Sequence, residues 1–268
     1  MAFFWPRERP SLGYTPRLMP ELSAITIVED RTATSRCDRG FLTLERLRLR
    51  NEYSDGTHSE IYDCDLASRR GIDAVVAVLH EIDTDRREVR VLLREAIRAP
   101  IYLRHRKRFV HPDPGRYATL LELVAGIVEK DDRQGAEGLC HRAAVEAQEE
   151  VGLSVAGEDF RVLGGETFAS PGTGDEKLYF CVAAATLAEA RAGDGDGSVM
   201  EEFGRVHCLE LGEAITACRD GRIPDMKTEV GLLRLADHVG YIPQLGCFAD
   251  QLPADVAARY RPLGVDAS

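Results

Sequence analysis

No two of the seven cysteines, at 37, 64, 140, 181, 208, 218 and 247, stand in a C-x-x-C pair. That scatter, with an odd count, excludes a zinc ribbon or a dithiol redox motif and reads as reduced thiols. Cys140-His141 and His207-Cys208 are adjacent in sequence, a poor geometry for ligating one metal jointly. Long apolar runs are also missing: no stretch approaches the ~20 residues needed to cross a bilayer. The start, MAFFWPRERP, lacks the apolar core and cleavage site of a signal peptide, so the expected compartment is the cytoplasm, with no membrane partner. Basic charge is in deficit, with 34 Lys and Arg against 45 Asp and Glu and a net charge of -11. Nucleic-acid binding needs a basic footprint and is not expected. A small phosphorylated ligand, held by a metal and one or two Arg, is compatible with the same balance. GDGDG at 193–197 lacks the spacing and closing Glu of an EF-hand, and no internal repeat is evident.

What is present is 268 residues of ordinary globular composition, enough to bury a substantial core. Residues 1–40 are rich in Pro, Arg and Ser, with Pro6, Pro10, Pro16 and Pro20 against any helix, and read as an extended arm. In 41–70, FLTLERLRLR alternates Leu with charge, SDG at 54–56 supplies a turn and HSEIYDCDL returns, which predicts a small antiparallel sheet. The main domain is expected over 71–241. It opens with the continuous apolar run IDAVVAVLH at 72–80, followed across a turn by EVRVLLRE, as two core strands. RHRKR at 104–108 is a basic run ahead of the loop-forming HPDPG and reads as a solvated insertion or a phosphate clamp. LLELVAG at 120–126, DFRVLGGETFAS and KLYFCVAAAT predict further strands. Helices are expected at Gly212 to Arg219 and at Lys227 to Val239, the latter burying Val230, Leu233 and Leu235 with Lys227 and Glu229 outward. Residues 242–268 are punctuated by Pro and Gly and read as a peripheral tail.

The chemistry-bearing stretch is GIVEKDDRQGAEGLCHRAAVEAQEEVGL, from Gly126 to Leu153. If Leu139 to Val151 is a helix stopped by Gly152, spacings of three and four residues put Glu146, Glu149 and Glu150 on one face. Three carboxylates on a face repel each other unless they are solvated, paired with bases or gathered around a hard cation, and oxygen-only ligation suits Mg²⁺ or Mn²⁺. Glu122, inside an apolar run, is a carboxylate that needs a partner if it is buried.

Taken together, Gly126, Glu137, Glu146, Ala147, Glu149, Glu150, Gly152 and Leu153 resemble the Nudix box. Two departures stand out. Ten residues rather than five separate Gly126 from Glu137, with the polar, Gly-containing Lys130–Gly135 as a surface insertion. The Arg that precedes the first box Glu in the family is Val145 here, so the guanidinium that would orient a carboxylate is missing, and Arg142, four residues before Glu146, is the expected substitute. More specifically, the chain is similar to the nucleoside-diphosphate-sugar pyrophosphatase branch of that family. Arg98 matches the last Arg of its R-Q-Y/F-R strand end, with Ala96 in place of Gln. Glu122 with Ala125-Gly126 matches E-L-P-A-G, with Val124 in place of Pro, and Ser170-Pro171-Gly172 with Glu176 matches its S-P-G motif and following Glu.

The resemblance implies an α+β fold, the Nudix alpha/beta/alpha sandwich around a mixed sheet, preceded by the small antiparallel N-terminal sheet. It implies a metal-dependent hydrolase, using Mg²⁺ or Mn²⁺, that cuts the diphosphate of a nucleoside diphosphate sugar of ADP-ribose or UDP-glucose type. Glu146, Glu150 and the Ala125 carbonyl are the implied metal ligands, with Glu149 close by. The loop acid serving as further ligand or general base is Glu202, with Glu201 as second choice. Arg98, Glu122, Ser170, Pro171, Gly172 and Glu176 are the implied substrate contacts, and Gly126, Glu137, Arg142 and Gly152 orient the site. A homodimer through the N-terminal sheet is implied as well. The alternative, raised by Val145, is a weakened domain that senses nucleotide sugars.

Overall fold

The computed structural model describes residues 40–51, 54, 58–113, 115–193 and 204–261. Two strands come first, β1 (Leu42–Leu49) and β2 (Tyr62–Arg69), paired antiparallel from Leu42 opposite Arg69 to Leu49 opposite Tyr62. The turn expected at 54–56 lies largely outside the described residues. The Leu alternation of β1 leads to shallow cover only: Leu44 and Leu49 are half-buried and Leu47 is exposed.

The main sheet begins with β3 (Ala74–Asp83) and β4 (Glu88–Ala96). A short helix α1 (Ala99–Tyr102) runs into a 3-10 turn at Leu103–Arg106. The apolar run at 120–126 is two strands rather than one, β5 (Leu120–Glu122) on β4 and β6 (Val124–Ile127) on β3. Then follow α2 (Gly135–Val151), β7 (Arg161–Val162), β8 (Thr167–Phe168), β9 (Lys177–Ala184), β10 (Val206–Glu210), α3 (Leu211–Arg219) and α4 (Met226–Val239). A two-stranded hairpin of β11 (Tyr241–Ile242) and β12 (Cys247–Phe248) and a final short helix α5 (Ala254–Ala257) close the described chain. The sheet order is β10-β4-β3-β9-β7, with β3 and β9 parallel and the other pairs antiparallel.

Alternation along β3 explains the layers. Side chains of a strand point to opposite faces by turns. Val75, Ala77 and Leu79 pack with Cys140, Ala143, Ala147 and Val151 of α2 on one face. Val76 and Val78 pack with Ala214 and Ile215 of α3 and Leu232 and Leu235 of α4 on the other. A strand buried on both faces has no polar side, which is why 74–79 reads as an unbroken apolar run. The result is a helix layer, a mixed sheet and a second helix layer, the alpha/beta/alpha sandwich expected from the sequence. The helix at 135–151 starts four residues earlier than the sequence spacing indicates, and within its first turn Gly138 sits against the Arg133 carbonyl, where a Cβ would come within 1.6 Å. In α4 the buried positions are Thr228, Gly231, Leu232, Leu235 and Ala236; Val230 and Leu233 are only half-buried, and Lys227 turns inward.

Candidate metal and diphosphate site

The last two turns of α2 carry Glu146 and Glu150, both buried. Gly152 ends the helix in the left-handed region (φ 63°), and the N–H groups of Gly152 and Leu153 donate back to the Gln148 and Ala147 carbonyls, each at 3.1 Å. Opposite them lies β6, held in register on β3 by Ala125 facing Val76 and Gly126 facing Val75. The Ala125 N–H donates to Glu150 Oε2 at 3.1 Å. At Gly126 an added Cβ would fall 1.8 to 2.2 Å from the Glu146 carboxylate. The absent side chain at 126 is therefore the space that the carboxylate fills.

Gly126→Ala separates function from fold. The atoms in the way are the far end of a flexible side chain, so the fold can yield by turning Glu146 aside. The expected outcome is a melting temperature within a few degrees of wild type and a divalent-cation affinity lower by about 10- to 100-fold, checked by thermal denaturation and Mn²⁺ titration of the same sample.

Two guanidinium groups reach these carboxylates. Arg142 forks onto Asp132, with Nε to Oδ2 at 2.8 Å and Nη2 to Oδ1 at 2.7 Å, and its Nη1 lies 3.8 Å from Glu146 Oε1. The fork holds the Asp132 carboxyl below its usual range against the effect of its partial burial. Asp132 belongs to the inserted loop, where the Glu129 N–H donates to it at 2.8 Å. The insertion is thus more than a passive surface loop: it anchors the side chain that flanks Glu146. The second group is Arg94 of β4, whose Nη1 pairs with Glu150 Oε1 with both side chains buried. Sequence reasoning passed over Arg94. Its signal was a charge two residues after Leu92 in an apolar strand, and Leu92 faces α2.

A separate network surrounds Glu122, only 2% exposed. Arg98 forks onto it, Nε to Oε1 and Nη2 to Oε2, both at 2.8 Å. Lys227 of α4 donates to the same carboxylate and to Asp225 Oδ2 at 2.8 Å, and Thr228 Oγ1 donates to that oxygen at 2.6 Å while accepting the Leu123 N–H at 2.9 Å. Burial alone would raise the Glu122 carboxyl, but the Arg98 fork and the Lys227 charge outweigh it and hold it at about 2. Arg98, expected to grip substrate, has its fork engaged by Glu122.

The remaining residues are dispersed. Ser170, Pro171 and Gly172 form an exposed turn closed by Thr173 and Gly174 N–H groups donating to the Ser170 carbonyl, at 3.0 and 2.9 Å. Glu176 pairs with Arg69 of β2. Glu149 is half-buried, and Glu137 is exposed and paired with Arg133 at the other end of α2. A cavity of about 540 Å³ beside that end is lined by Ala136, Glu137, Cys140, His141 and Phe160 and includes neither Glu146 nor Glu150. Glu201 and Glu202 lie outside the described residues. Among the described residues no three His, Cys, Asp or Glu side chains converge as a metal cluster. The donor set still suits a hard cation: two buried carboxylates, a glycine cradle for one of them and neighbouring backbone oxygens.

The chain covers 82% of its length and 97% of the other chain in a superposition on a crystal structure titled ADP compounds hydrolase, with a TM-score of 0.51 at 17% identity. The chain has the Nudix fold. In sequence it is similar to the ADP-ribose pyrophosphatase of Haemophilus influenzae, 26% identical over 193 residues that span 72% of this chain and 79% of that protein. No family model matches it. In this Nudix sandwich the carboxylates of α2 face the Gly126 edge of β6 across the helix–sheet boundary.

Proposed function

We propose that the chain hydrolyses the diphosphate bond of a nucleoside diphosphate sugar, of ADP-ribose or UDP-glucose type, to a nucleoside monophosphate and a sugar phosphate, with Mg²⁺ or Mn²⁺ bound. The observation that carries this reading is the buried Glu146 carboxylate lodged in the space left by Gly126, one helical turn from a buried Glu150. Two carboxylates buried this closely are costly, and apolar side chains in place of them and of Arg94 together would bury at lower cost. The names of the relatives, an ADP-ribose pyrophosphatase and an ADP compounds hydrolase, supply the substrate class.

In this reading Glu146, Glu150 and the Ala125 carbonyl hold the cation, with Glu149 beside them. When bound, the cation neutralises diphosphate charge, activates a water and stabilises the leaving phosphate. The chain's own groups do the rest. A carboxylate accepts the proton of the attacking water, a role assigned to Glu202 ahead of Glu201 and worth about 10²- to 10⁴-fold. Arg98 and Glu122, tied to each other and to Lys227, form a rigid charged wall at the end of β4 and β5 where the diphosphate or distal sugar docks. The Ser170–Gly172 turn and Glu176 complete the substrate edge. A homodimer through the N-terminal sheet is part of the proposal, supported by Phe41, Leu42, Leu47, Ile61 and Tyr62, an apolar set exposed among the described residues. A cytoplasmic enzyme is consistent with the scattered cysteines and with the lack of a helix, among the described residues, long and apolar enough to cross a membrane.

The test is release of phosphatase-sensitive product from ADP-ribose, UDP-glucose, GDP-mannose and CoA with Mg²⁺ or Mn²⁺. One sugar nucleotide is expected to be cleaved at least ten times faster than CoA. Calorimetric binding of a sugar nucleotide without turnover of any of the four would make the chain a sensor instead.

A further inference from the structure

We propose that Arg94 is the positioning residue of the candidate metal site: it supplies from β4 the guanidinium that α2 lacks at Val145, and fixes Glu150 in its ligating orientation before any cation arrives. The inference rests on the metal-dependent reading above and goes beyond it, because nothing in the box or in the names of the relatives points to β4.

The argument starts from charge. Glu146 and Glu150 occupy the C-terminal half of a 17-residue helix, where the macrodipole presents its negative end, and the last turn of α2 holds no basic residue. Two buried carboxylates there repel each other and the helix end alike. A compensating cation has to come from outside the last turn. Arg142, one turn before Glu146, is committed mainly to Asp132 and approaches only Glu146, at 3.8 Å. Glu150 is reached from the sheet.

Strand periodicity delivers the partner. Val91 and Leu93 face α3 and α4, whereas Leu92 faces α2, so Arg94, two residues on, projects toward α2 and meets Glu150 Oε1. β4 is braced on both sides at this point, with Arg94 opposite Val206 of β10 and opposite Glu122 of β5. Its backbone has little room to shift. The other carboxylate oxygen is fixed by the Ala125 N–H. Glu150 is therefore gripped at both oxygens by groups on two different strands.

Arg94 is only 4% exposed, and its Nε, also buried, has no acceptor among the described residues. A buried donor left without an acceptor is destabilising. The side chain keeps that cost while its charge meets the Glu150 carboxylate. A residue serving packing alone would be apolar at this position, as Leu92 is.

The experiment measures Mn²⁺ affinity by calorimetry or electron paramagnetic resonance, on wild type, Arg94→Lys, Arg94→Met and Glu150→Gln, each checked for a folded far-ultraviolet dichroism spectrum. Arg94→Met is expected to weaken Mn²⁺ binding by about 10- to 100-fold, the range seen when groups that orient metal ligands are lost. Arg94→Lys, which keeps the charge but not the reach, should fall between, several-fold weaker than wild type. In turnover assays the loss should appear as a higher Mn²⁺ requirement, with the KM for substrate at saturating Mn²⁺ nearly unchanged. Wild-type affinity in folded Arg94→Met would overturn the inference, and so would tighter binding, which would mean that Arg94 competes with the cation. If Arg94→Met does not fold, Arg94→Lys decides alone, and wild-type affinity in it refutes the proposal. Failure of the underlying reading looks different: wild type itself binds no Mn²⁺, or Glu150→Gln binds it equally well.

Discussion

Glu150→Gln lowers kcat/KM by about 10³-fold or more, since a bound cation contributes several kcal/mol of transition-state charge stabilisation and each ~1.4 kcal/mol is tenfold. The substitution is close to isosteric, and the amide oxygen can still accept the Ala125 N–H. What it removes is the charge that faces Arg94, with both side chains buried. Breaking one side of such a pair costs on the order of 3–5 kcal/mol, because the remaining ion is stranded. The single variant should therefore lose activity and melt earlier. Activity loss and instability can be separated by adding Arg94→Met. Removing both ions is close to neutral for stability, so the double variant should recover most of the melting temperature and none of the turnover. Recovery of both together would mean that the single variant was inactive only because it was unstable.

Glu122→Leu should be the most destabilising single change outside the apolar core, by about 3–5 kcal/mol in urea unfolding at pH 7. It strands the Arg98 fork and leaves the Lys227 ammonium with Asp225 as its carboxylate partner, around a position 2% exposed. The same carboxylate gives the wild type an acid limb. Its ordinary value of 4.5 is held down to about 2 in the folded chain. Below 4.5 the unfolded chain takes up the proton first, so stability is full above that pH and falls as pH drops from 4.5 to 2. The difference between the two values corresponds to about 3 kcal/mol. Unfolding curves at pH 7, 4.5, 3 and 2 should show this fall in wild type and a flatter profile in Glu122→Gln. An identical slope in the two proteins would show that other carboxylates govern the acid limb.

The sandwich was legible through the family resemblance, and its central strand because it is buried on both faces: the run at 74–79 reads as an interior strand, and Gly152 as a helix end. The partners of the candidate site were less legible, for a physical reason. Helix spacing relates residues on one element, so it found Arg142 beside Glu146. It cannot find Arg94, whose partner lies 56 positions away across the helix–sheet boundary. Lys227 illustrates the same limit. A Lys in the first turn of an amphipathic helix reads as solvent-facing, yet Glu122 on β5 draws it inward. Arg98 shows the converse, a residue flagged by motif whose charge the fold engages internally.

Among the described residues, the small β1–β2 sheet meets the stretch from Thr173 to Glu176. The Ala67 N–H donates to the Thr173 carbonyl at 2.9 Å, Ser68 Oγ donates to Asp175 at 2.9 Å, and Arg69 pairs with Glu176. Three successive residues of β2 thus grip the segment that directly follows the Ser170–Gly172 turn. Hairpin and turn are joined by a continuous set of contacts. A chimera that took its hairpin from one relative and its turn from another would carry a mismatched seam, so sequence drift in either must be answered in the other.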